Sequence, residues 1–204
     1  KAKVDGVSKY GTWITYYPWT STPRFTDVPT TADSYHYINV LSTWKITNGC
    51  TSSTFCNAEW LTRGQVAALI IRSIYGDKFT YPQTPYFSDI PANHPFFSYI
   101  QKMRETGITT GCTETVYCPD VPVTRRQAAV FIIRGKLSGL FGQSFSFPST
   151  PYFADVPATD TTFPFIQKFR ELGITRGCAA NAFCPDQIIT REQAAVLLVR
   201  AFLN

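Results

Sequence analysis

The sequence is poor in histidine, and its carboxylates form no recurring pairs. The two histidines, His36 and His94, stand at positions that are not equivalent in the internal repeat described below. No histidine recurs beside a serine or a cysteine, as the common nucleophile–base arrangements require. The carboxylate pair of Glu114 and Asp120 is not repeated in the other copies. We therefore expect no catalytic site and no cofactor.

Long apolar runs and clusters of like charge are also missing. No apolar stretch approaches about 18 residues, the length of a transmembrane helix, so we expect no membrane span. Lys and Arg total 19 and Asp and Glu total 14, a net charge of +5, but no basic run resembles a nucleic-acid-binding tract. Hydrophobic residues make up 44% of the chain and charged residues 16%, which is typical of a globular protein. The mild positive charge suits an acidic partner such as an anionic glycan.

The chain is organised around a pattern that occurs three times. Each copy has a Gly-Cys pair, a second Cys, and then Thr-Arg at the head of an apolar segment. The copies begin at Gly49, Gly111 and Gly177. Such a pattern indicates one supersecondary unit stacked on its copies. We expect an extended arm at residues 1–24, followed by repeats at 25–86, 87–152 and 153–204.

All six cysteines belong to the repeat and are spaced as C-x5-C. Zinc sites use C-x2-C pairs or additional histidines, whereas one C-x5-C pair supplies two ligands, so we predict three local disulfides and no metal site. Each would stabilise the fold by about 2 kcal/mol. Disulfides indicate an oxidising, extracellular location, and a start at Lys1 is what removal of a signal peptide would produce. The pairs are Cys50 and Cys56, Cys112 and Cys118, and Cys178 and Cys184.

Two helices are predicted in each repeat. The first, near Tyr35–Trp44, Phe96–Thr106 and Phe163–Leu172, has apolar residues at helical spacing. The second begins after a Thr that is followed three residues later by Gln, a capping-box arrangement. Its body is apolar on nearly all sides, so it must be central. The sequence therefore predicts a mainly α fold with a three-helix core.

Two turns frame the first helix. Before it, each repeat has Asp followed by an apolar residue and Pro, and we expect the carboxylate to accept backbone N–H bonds. After it, Gly107 and Gly173 are expected in the left-handed conformation. The first repeat has Lys45 at this place, so we expect its helix to end differently. The turn carboxylates are those of Asp27, Asp89 and Asp155.

Residues 1–24 have no counterpart in the repeats and are rich in aromatic and β-branched residues. We expect an extended arm or edge strand, in which Pro18 limits the hydrogen-bond ladder. Exposed aromatic side chains are costly in water. The arm should therefore pack either on its own repeats or on a neighbouring molecule. The candidate assembly residues are Trp13, Ile14, Tyr16, Tyr17 and Trp19.

The motifs resemble those of the S-layer homology domain family. Gly-Ile-x-x-Gly stands at 107–111 and 173–177, and Thr-Arg-x-Gln at 124–127 and 190–193. The resemblance extends over residues 25–204 as three tandem copies. It implies a pseudo-three-fold prism with grooves between the repeats. It also implies a bacterial cell-surface location and binding of acidic secondary cell-wall polysaccharide.

Some features depart from the family pattern. The paired cysteines are not general to the family and mark a disulfide-bearing branch. The first repeat has Lys45 instead of Gly, lacks Pro-Asp at Asn57, and has Gly64 after its Arg. We therefore expect the groove of the first repeat to be altered.

The arginine after each capping Thr is the main candidate for polysaccharide binding. It occupies the first position of an apolar helix, where free N–H groups and partial positive charge attract anions. Its guanidinium can donate two parallel hydrogen bonds to a carboxylate. The alternative is structural: the arginine pairs with the turn Asp. The candidates are Arg63, Arg125, Arg191, Thr124, Thr190, Gly111 and Gly177, and the glycines equally fit plain turns with positive φ.

Trp44 and Trp60 occur in the first repeat alone. Each could stack on a sugar ring, or each could belong to the core or to an interface. The sequence leaves both interpretations open.

Two functions follow from these features. The first is a non-enzymatic wall-binding module that uses the inter-repeat grooves. The second is a structural subunit that assembles into an extracellular filament or lattice, with the arm inserted into a neighbouring copy as a head-to-tail contact.

Overall fold

The computed structural model of the chain describes residues 23–137 and 145–203. The candidate assembly residues of the arm, from Trp13 to Trp19, lie outside the described residues. Their role stays a prediction.

The described residues are mainly helical, as predicted. Six α-helices are present, and the last continues into a short π-helix. The observed ends of the first helix of each repeat differ from the predicted ones by about one residue. The helices are α1 (Tyr35–Thr43), α2 (Arg63–Tyr75), α3 (Phe97–Glu105), α4 (Arg125–Lys136), α5 (Phe163–Glu171) and α6 (Arg191–Leu198), with the π-helix at Val199–Leu203.

Capping boxes begin α2, α4 and α6, as the sequence predicts. The cap residues are Thr62, Thr124 and Thr190, and each has an extended backbone. Each hydroxyl accepts a hydrogen bond from the amide of the Gln three residues later, and the Gln side chain accepts one from the cap amide. Both partners satisfy groups that a helix start leaves unpaired. The starts of the central helices are therefore fixed by local sequence.

The prediction of a different end for α1 is wrong. Lys45 has φ of 57°, in the same left-handed region as Gly107 at 76° and Gly173 at 71°. The Lys45 amide donates to the Ser42 carbonyl, as the Gly107 amide donates to that of Arg104. A non-glycine residue in this conformation costs about 1 kcal/mol. The hydrogen bond that ends α1 is therefore kept in the first repeat, although lysine stands where the other repeats have glycine.

The core lies where α2, α4 and α6 meet. α2 packs against both α4 and α6, and α4 packs against the π-helix that continues α6. One alanine on each helix, Ala67, Ala129 and Ala195, is fully or almost fully buried, with at most 1% of its surface exposed. Small side chains here allow the helices to approach closely. The prism implied by the family resemblance stays a prediction.

A closed ring of backbone hydrogen bonds joins the three repeats just before these helices. The Leu61 amide donates to the Ile189 carbonyl at 3.3 Å, that of Ile189 to Val123 at 2.9 Å, and that of Val123 to Leu61 at 2.9 Å. All three side chains are buried. The ring links segments that are far apart in sequence, so we infer that the repeats form one cooperative unit.

Buried glutamines fasten the connecting segments to the following repeat. Gln101 Nε2 donates to the carbonyls of Pro82 and Thr84 at 2.9 and 2.6 Å, and Gln101 Oε1 accepts from the Tyr86 amide at 3.0 Å. Gln167 makes the same three contacts with Pro148, Thr150 and Tyr152. Residues 82–86 and 148–152 are therefore held against α3 and α5.

The three predicted disulfides are present, between Cys50 and Cys56, Cys112 and Cys118, and Cys178 and Cys184. The second cysteine of each pair is left-handed, with φ between 57° and 60°. The turn carboxylates hold the backbone beside it. In the second repeat, the two oxygens of Asp89 accept hydrogen bonds from the amides of Tyr117 and Cys118 at 2.8 and 2.7 Å. Asp27 and Asp155 do the same in their repeats, as predicted.

Candidate functional site

The three candidate arginines lie between repeats. Each is the first residue of a central helix, and each side chain reaches into the following repeat, with the third returning to the first. Arg63 Nε donates to the Tyr117 carbonyl at 2.9 Å, Arg125 Nε to that of Phe183 at 2.8 Å, and Arg191 Nε to that of Phe55 at 2.7 Å. We call these contacts the first, second and third junctions.

At each junction the guanidinium also lies over the ring of the residue whose carbonyl it binds. The distances from Cζ to the ring centroid are 4.7 Å for Tyr117, 5.0 Å for Phe183 and 4.9 Å for Phe55. The arginines are only 4 to 8% exposed. Cation–π contacts gain strength when they are desolvated. The arginines therefore stabilise the contacts between repeats, whatever else they bind.

The structural alternative from the sequence takes a different form here. In the first junction, Asp89 holds the N–H of Tyr117 while Arg63 holds its C=O. Asp and Arg therefore grip the same residue and do not pair directly. Burial lowers the Arg63 pKa, and the charge of Asp89 partly opposes that lowering. Burial likewise lowers the pKa of Arg125 and Arg191.

The expectation of free N–H groups at the helix starts is wrong. The Arg63 amide donates to the Val121 carbonyl at 3.0 Å, and the Gly64 amide donates to that of Pro119 at 2.8 Å. The third amide is bonded to the capping Thr. The same pattern occurs at α4 and α6. Partner repeats therefore take the positions that an anion would occupy at an open helix start.

Donors remain on the guanidinium groups themselves. Within the part of the chain that the structure describes, the terminal nitrogens of Arg125 and Arg191 form no hydrogen bond. Arg63 Nη2 is buried and likewise has no partner there. An arginine offers five N–H donors, so most of the hydrogen-bonding capacity of each group is unused.

The other candidate residues have structural roles. Thr124 and Thr190 cap α4 and α6. Gly111 and Gly177 have φ of 94° and 95°, and an added Cβ would collide with carbonyl oxygens of the disulfide loop. These glycines are explained by backbone geometry alone. Gly111 and Gly177 thus lie in the disulfide loops, and not on the helices that begin with the junction arginines.

Sequence reasoning missed a second set of arginine–aromatic contacts. Arg72, Arg134 and Arg200 lie near the C-terminal ends of the central helices, where a cation suits the helix dipole. In the structure they also stack on rings of the next repeat in the cycle. The distances from Cζ to the centroids are 4.9 Å for Arg72 and Tyr99, 5.3 Å for Arg134 and Phe165, and 5.4 Å for Arg200 and Tyr37. The recurrence of these arginines was the available signal, but their partners lie far away in sequence.

The first two junctions differ in what surrounds the arginine. At the first, Phe96 packs so closely on Gly64 that an added Cβ would overlap its ring. At the second, Arg126 forms ion pairs with Asp160 at 2.7 Å and Asp186 at 2.9 Å. The difference at Gly64 that the sequence singled out thus corresponds to an aromatic contact.

Tyr117 distinguishes the first junction further. Its hydroxyl donates to the Arg63 carbonyl at 3.0 Å and lies 3.7 Å from the Met103 sulfur. Phe55 and Phe183 take its place in the other junctions and lack this bond. Burial raises the pKa of Tyr117, so its hydroxyl stays protonated.

Metal ligands are not assembled in the described part of the chain. There, no group of three or more His, Cys, Asp or Glu residues is placed to hold an ion.

None of the described helices is long and apolar enough to cross a membrane.

Two segments of the chain match a known domain family, and several bacterial proteins are similar to part of the chain. Residues 86–129 and 152–195 match the S-layer homology domain. An endoglucanase of Bacillus sp. (strain KSM-635) is 35% identical over 116 residues, 57% of this chain and 12% of the endoglucanase. The S-layer protein of Bacillus thuringiensis subsp. finitimus and the S-layer protein sap of Bacillus anthracis are 30% and 29% identical over 116 residues, 57% of this chain and 13% of each relative.

The chain thus spans about an eighth of the length of these relatives. The domain match and the two S-layer proteins indicate a location at the bacterial cell surface. Residues 86–129 and 152–195 are thus two repeats of the S-layer homology domain family.

Proposed function

We propose that this chain is a non-enzymatic module that attaches to the bacterial cell wall by binding an anionic secondary wall polysaccharide at the junctions between its repeats. The observation that carries the proposal is the guanidinium in each junction, which is fixed through Nε while its terminal nitrogens form no bond among the described residues. Such preorganised donors suit a carboxylate, because two parallel N–H groups match its two oxygens.

Burial favours an anionic ligand. A charge with little access to water is costly unless it is paired. Each junction arginine is at least nine-tenths buried, and the carboxylates of Asp89 and Asp155, which lie near Arg63 and Arg125, are already bonded to backbone amides. A carboxylate on a wall sugar would supply the missing counter-charge. Thr124, Thr190, Gly111 and Gly177 then act by holding the helix starts and loops that shape the junctions.

Catalysis by this chain is not part of the proposal. The endoglucanase matches it over 12% of its own length. We assign the shared segment to attachment and not to the hydrolysis that the name implies. No repeated acid–base or nucleophilic arrangement is present in the sequence.

The test is co-sedimentation with purified bacterial cell walls. The double substitution Arg125→Lys and Arg191→Lys keeps both positive charges but removes the forked donors. We expect about tenfold weaker binding, equal to the loss of about 1.4 kcal/mol. The matched control is Arg176→Ala, because Arg176 is exposed. Circular dichroism must show that all variants are folded, and unchanged binding by the double variant would reject the junctions as the site.

A second candidate function is assembly into a filament or surface lattice. Two of the relatives are S-layer proteins by name, and residues 1–22 carry Trp13, Tyr16, Tyr17 and Trp19. A chain lacking residues 1–20 should then stay as dispersed particles in negative-stain electron microscopy, where the whole chain forms filaments or sheets. Dispersed particles of the whole chain would exclude this function.

A further inference from the structure

Trp60 is the most exposed large hydrophobic residue in the described part of the chain. Its exposed fraction is 64%, against 48% for Val121, the next in order. Exposed aromatic surface carries a cost of about 25 cal/mol per Å². Trp44, the other tryptophan of the first repeat, instead packs against the core. The two interpretations that the sequence left open therefore divide between the two residues.

The backbone around Trp60 is held rigidly. Trp60 forms an isolated antiparallel bridge with Thr190 of the third repeat. The next residue, Leu61, is fully buried and belongs to the closed backbone ring. Since side chains alternate along extended backbone, Trp60 projects away from the core. The indole thus stands on fixed backbone and needs no ordering of its main chain when a ligand binds.

The equivalent positions in the other two repeats carry no aromatic residue. They carry Pro122 and Ile188, which form the matching bridges with Thr62 and Thr124. Both side chains are smaller than tryptophan and only partly exposed. Of the three equivalent bridge positions, that of Trp60 is therefore the one that presents a large flat aromatic face.

Uncharged hydrogen-bonding groups lie beside that face. Directly opposite residues of an antiparallel pair have Cβ atoms about 5 Å apart, which puts Thr190 next to the indole. The Thr190 hydroxyl accepts from the Gln193 amide at 3.2 Å, and Gln193 is exposed. A hydroxyl keeps a donor and a lone pair after accepting one bond, and a carboxamide has two N–H donors.

The size of the surface argues against a protein partner. Trp60 and Val121 are the two large exposed hydrophobic residues in the segments that carry the backbone ring. A stable protein interface buries about 800 Å² on each partner, far more than these two side chains can offer. One hexopyranose ring matches the area of one indole, and it combines an apolar C–H face with a rim of hydroxyls.

We propose that Trp60 is a stacking platform for one uncharged pyranose ring of a carbohydrate, with Thr190 and Gln193 hydrogen-bonding to the hydroxyls of that ring. The inference rests on the proposed wall-binding function and adds a neutral sugar subsite to the anionic subsites at the junctions. Stacking buries the C–H face against the indole. The adjacent polar groups replace the water that the hydroxyls lose.

The test compares Trp60→Ala, Trp60→Phe and Val121→Ala with the wild-type chain. The probes are purified bacterial cell walls and an array of immobilised neutral and anionic oligosaccharides of glucose and N-acetylhexosamines. We expect about tenfold weaker binding for Trp60→Ala, since aromatic stacking contributes on this scale. The Trp60→Phe variant should retain most of the binding, and Val121→Ala all of it. All of these positions are exposed, so the variants should fold with unchanged circular dichroism.

The outcomes separate this inference from the proposed function. Wild-type binding that Trp60→Ala keeps would overturn the stacking platform alone. Absence of wild-type binding to every probe would overturn both. A Trp60→Ala variant that binds sugars normally but loses self-association in sedimentation velocity would also overturn the inference, because the partner would then be a second copy of the chain.

Discussion

Arg191 Nε donates a hydrogen bond of 2.7 Å to the carbonyl oxygen of Phe55, a residue 136 positions earlier in the chain. The contact joins the last central helix to the first repeat. The junctions of Arg63 and Arg125 link the repeats in a row, which the backbone ring closes together with the Arg191 contact. With this contact, each repeat is held by both of the others, and the guanidinium that closes the cycle is also a candidate ligand for the wall polysaccharide.

Substitution of Arg191 should test this closure. We expect Arg191→Ala to lower the free energy of unfolding by about 2–3 kcal/mol, because a charge-assisted hydrogen bond and the packing over Phe55 are both lost. Arg191→Met should cost less, since an apolar chain of similar length keeps the packing. The measurement is denaturant unfolding under oxidising conditions.

The control for this experiment is Arg176→Ala, an exposed position at which we expect a change within about 0.5 kcal/mol. An Arg191→Ala variant as stable as the control would show that the third junction contributes nothing to the fold.

Substitution of Gln101 should lower the free energy of unfolding more than substitution of most other polar residues. Gln101→Ala removes two donated bonds to carbonyls and one accepted bond from an amide, and it leaves those groups unpaired. We expect a loss of about 2–4 kcal/mol in unfolding free energy. Gln167→Ala should behave alike, because its contacts are the same.

Asn39 gives the matched comparison in the first repeat. Among residues 23–137 and 145–203, its side chain donates one bond, to the Tyr35 carbonyl on its own helix. Asn39→Ala should therefore cost clearly less than Gln101→Ala. Equal losses in thermal melting would show that the glutamine contacts to the connectors are not what stabilises the second and third repeats.

The Tyr117 hydroxyl provides a small and specific test. Tyr117→Phe gives the first junction the ring that the other junctions already have. It removes the hydrogen bond to the Arg63 carbonyl, and we expect a loss of about 1 kcal/mol. A loss above about 3 kcal/mol would mean that the hydroxyl does more than this one bond. Denaturant unfolding of Tyr117→Phe beside the wild-type chain measures the difference.

The second junction should respond to acid. Burial opposes ionisation of Asp160, but hydrogen bonds from Thr162 and the charge of Arg126 outweigh it and lower the pKa of that carboxyl. A lowered pKa in the folded state stabilises the protein above the unfolded pKa of about 3.9. That contribution is lost as the pH falls through the folded value.

We therefore expect Asp160→Asn to reduce stability at pH 7 and to flatten the loss of stability below about pH 4. Thermal melting between neutral and acidic pH measures both effects. Identical acid profiles for wild type and Asp160→Asn would contradict the assignment of this carboxylate.

Local features of the fold could be predicted from the sequence because they depend on residues close in the chain. The capping boxes need only Thr and Gln three positions apart. The disulfides need only six cysteines in three short pairs. The prediction for the residue that follows α1 was wrong. Lys45 keeps the left-handed conformation and the amide hydrogen bond that glycine has at this place in the other repeats.

The contacts between repeats could not be predicted from the sequence. Nothing near Arg63 in the chain indicates that its partner is the carbonyl of Tyr117. The helix-start amides were expected to be free because the carbonyls that bind them come from the next repeat. The recurring arginines were recognised, but the aromatic rings that they stack on are determined by how the repeats meet.

The most direct test of the account is the binding isotherm of the whole chain on purified bacterial cell walls, measured before and after chemical removal of the secondary polysaccharide. We expect saturable binding to intact walls that weakens as salt is raised and disappears when the polysaccharide is removed. Equal binding to stripped walls, or no binding to intact ones, would contradict it.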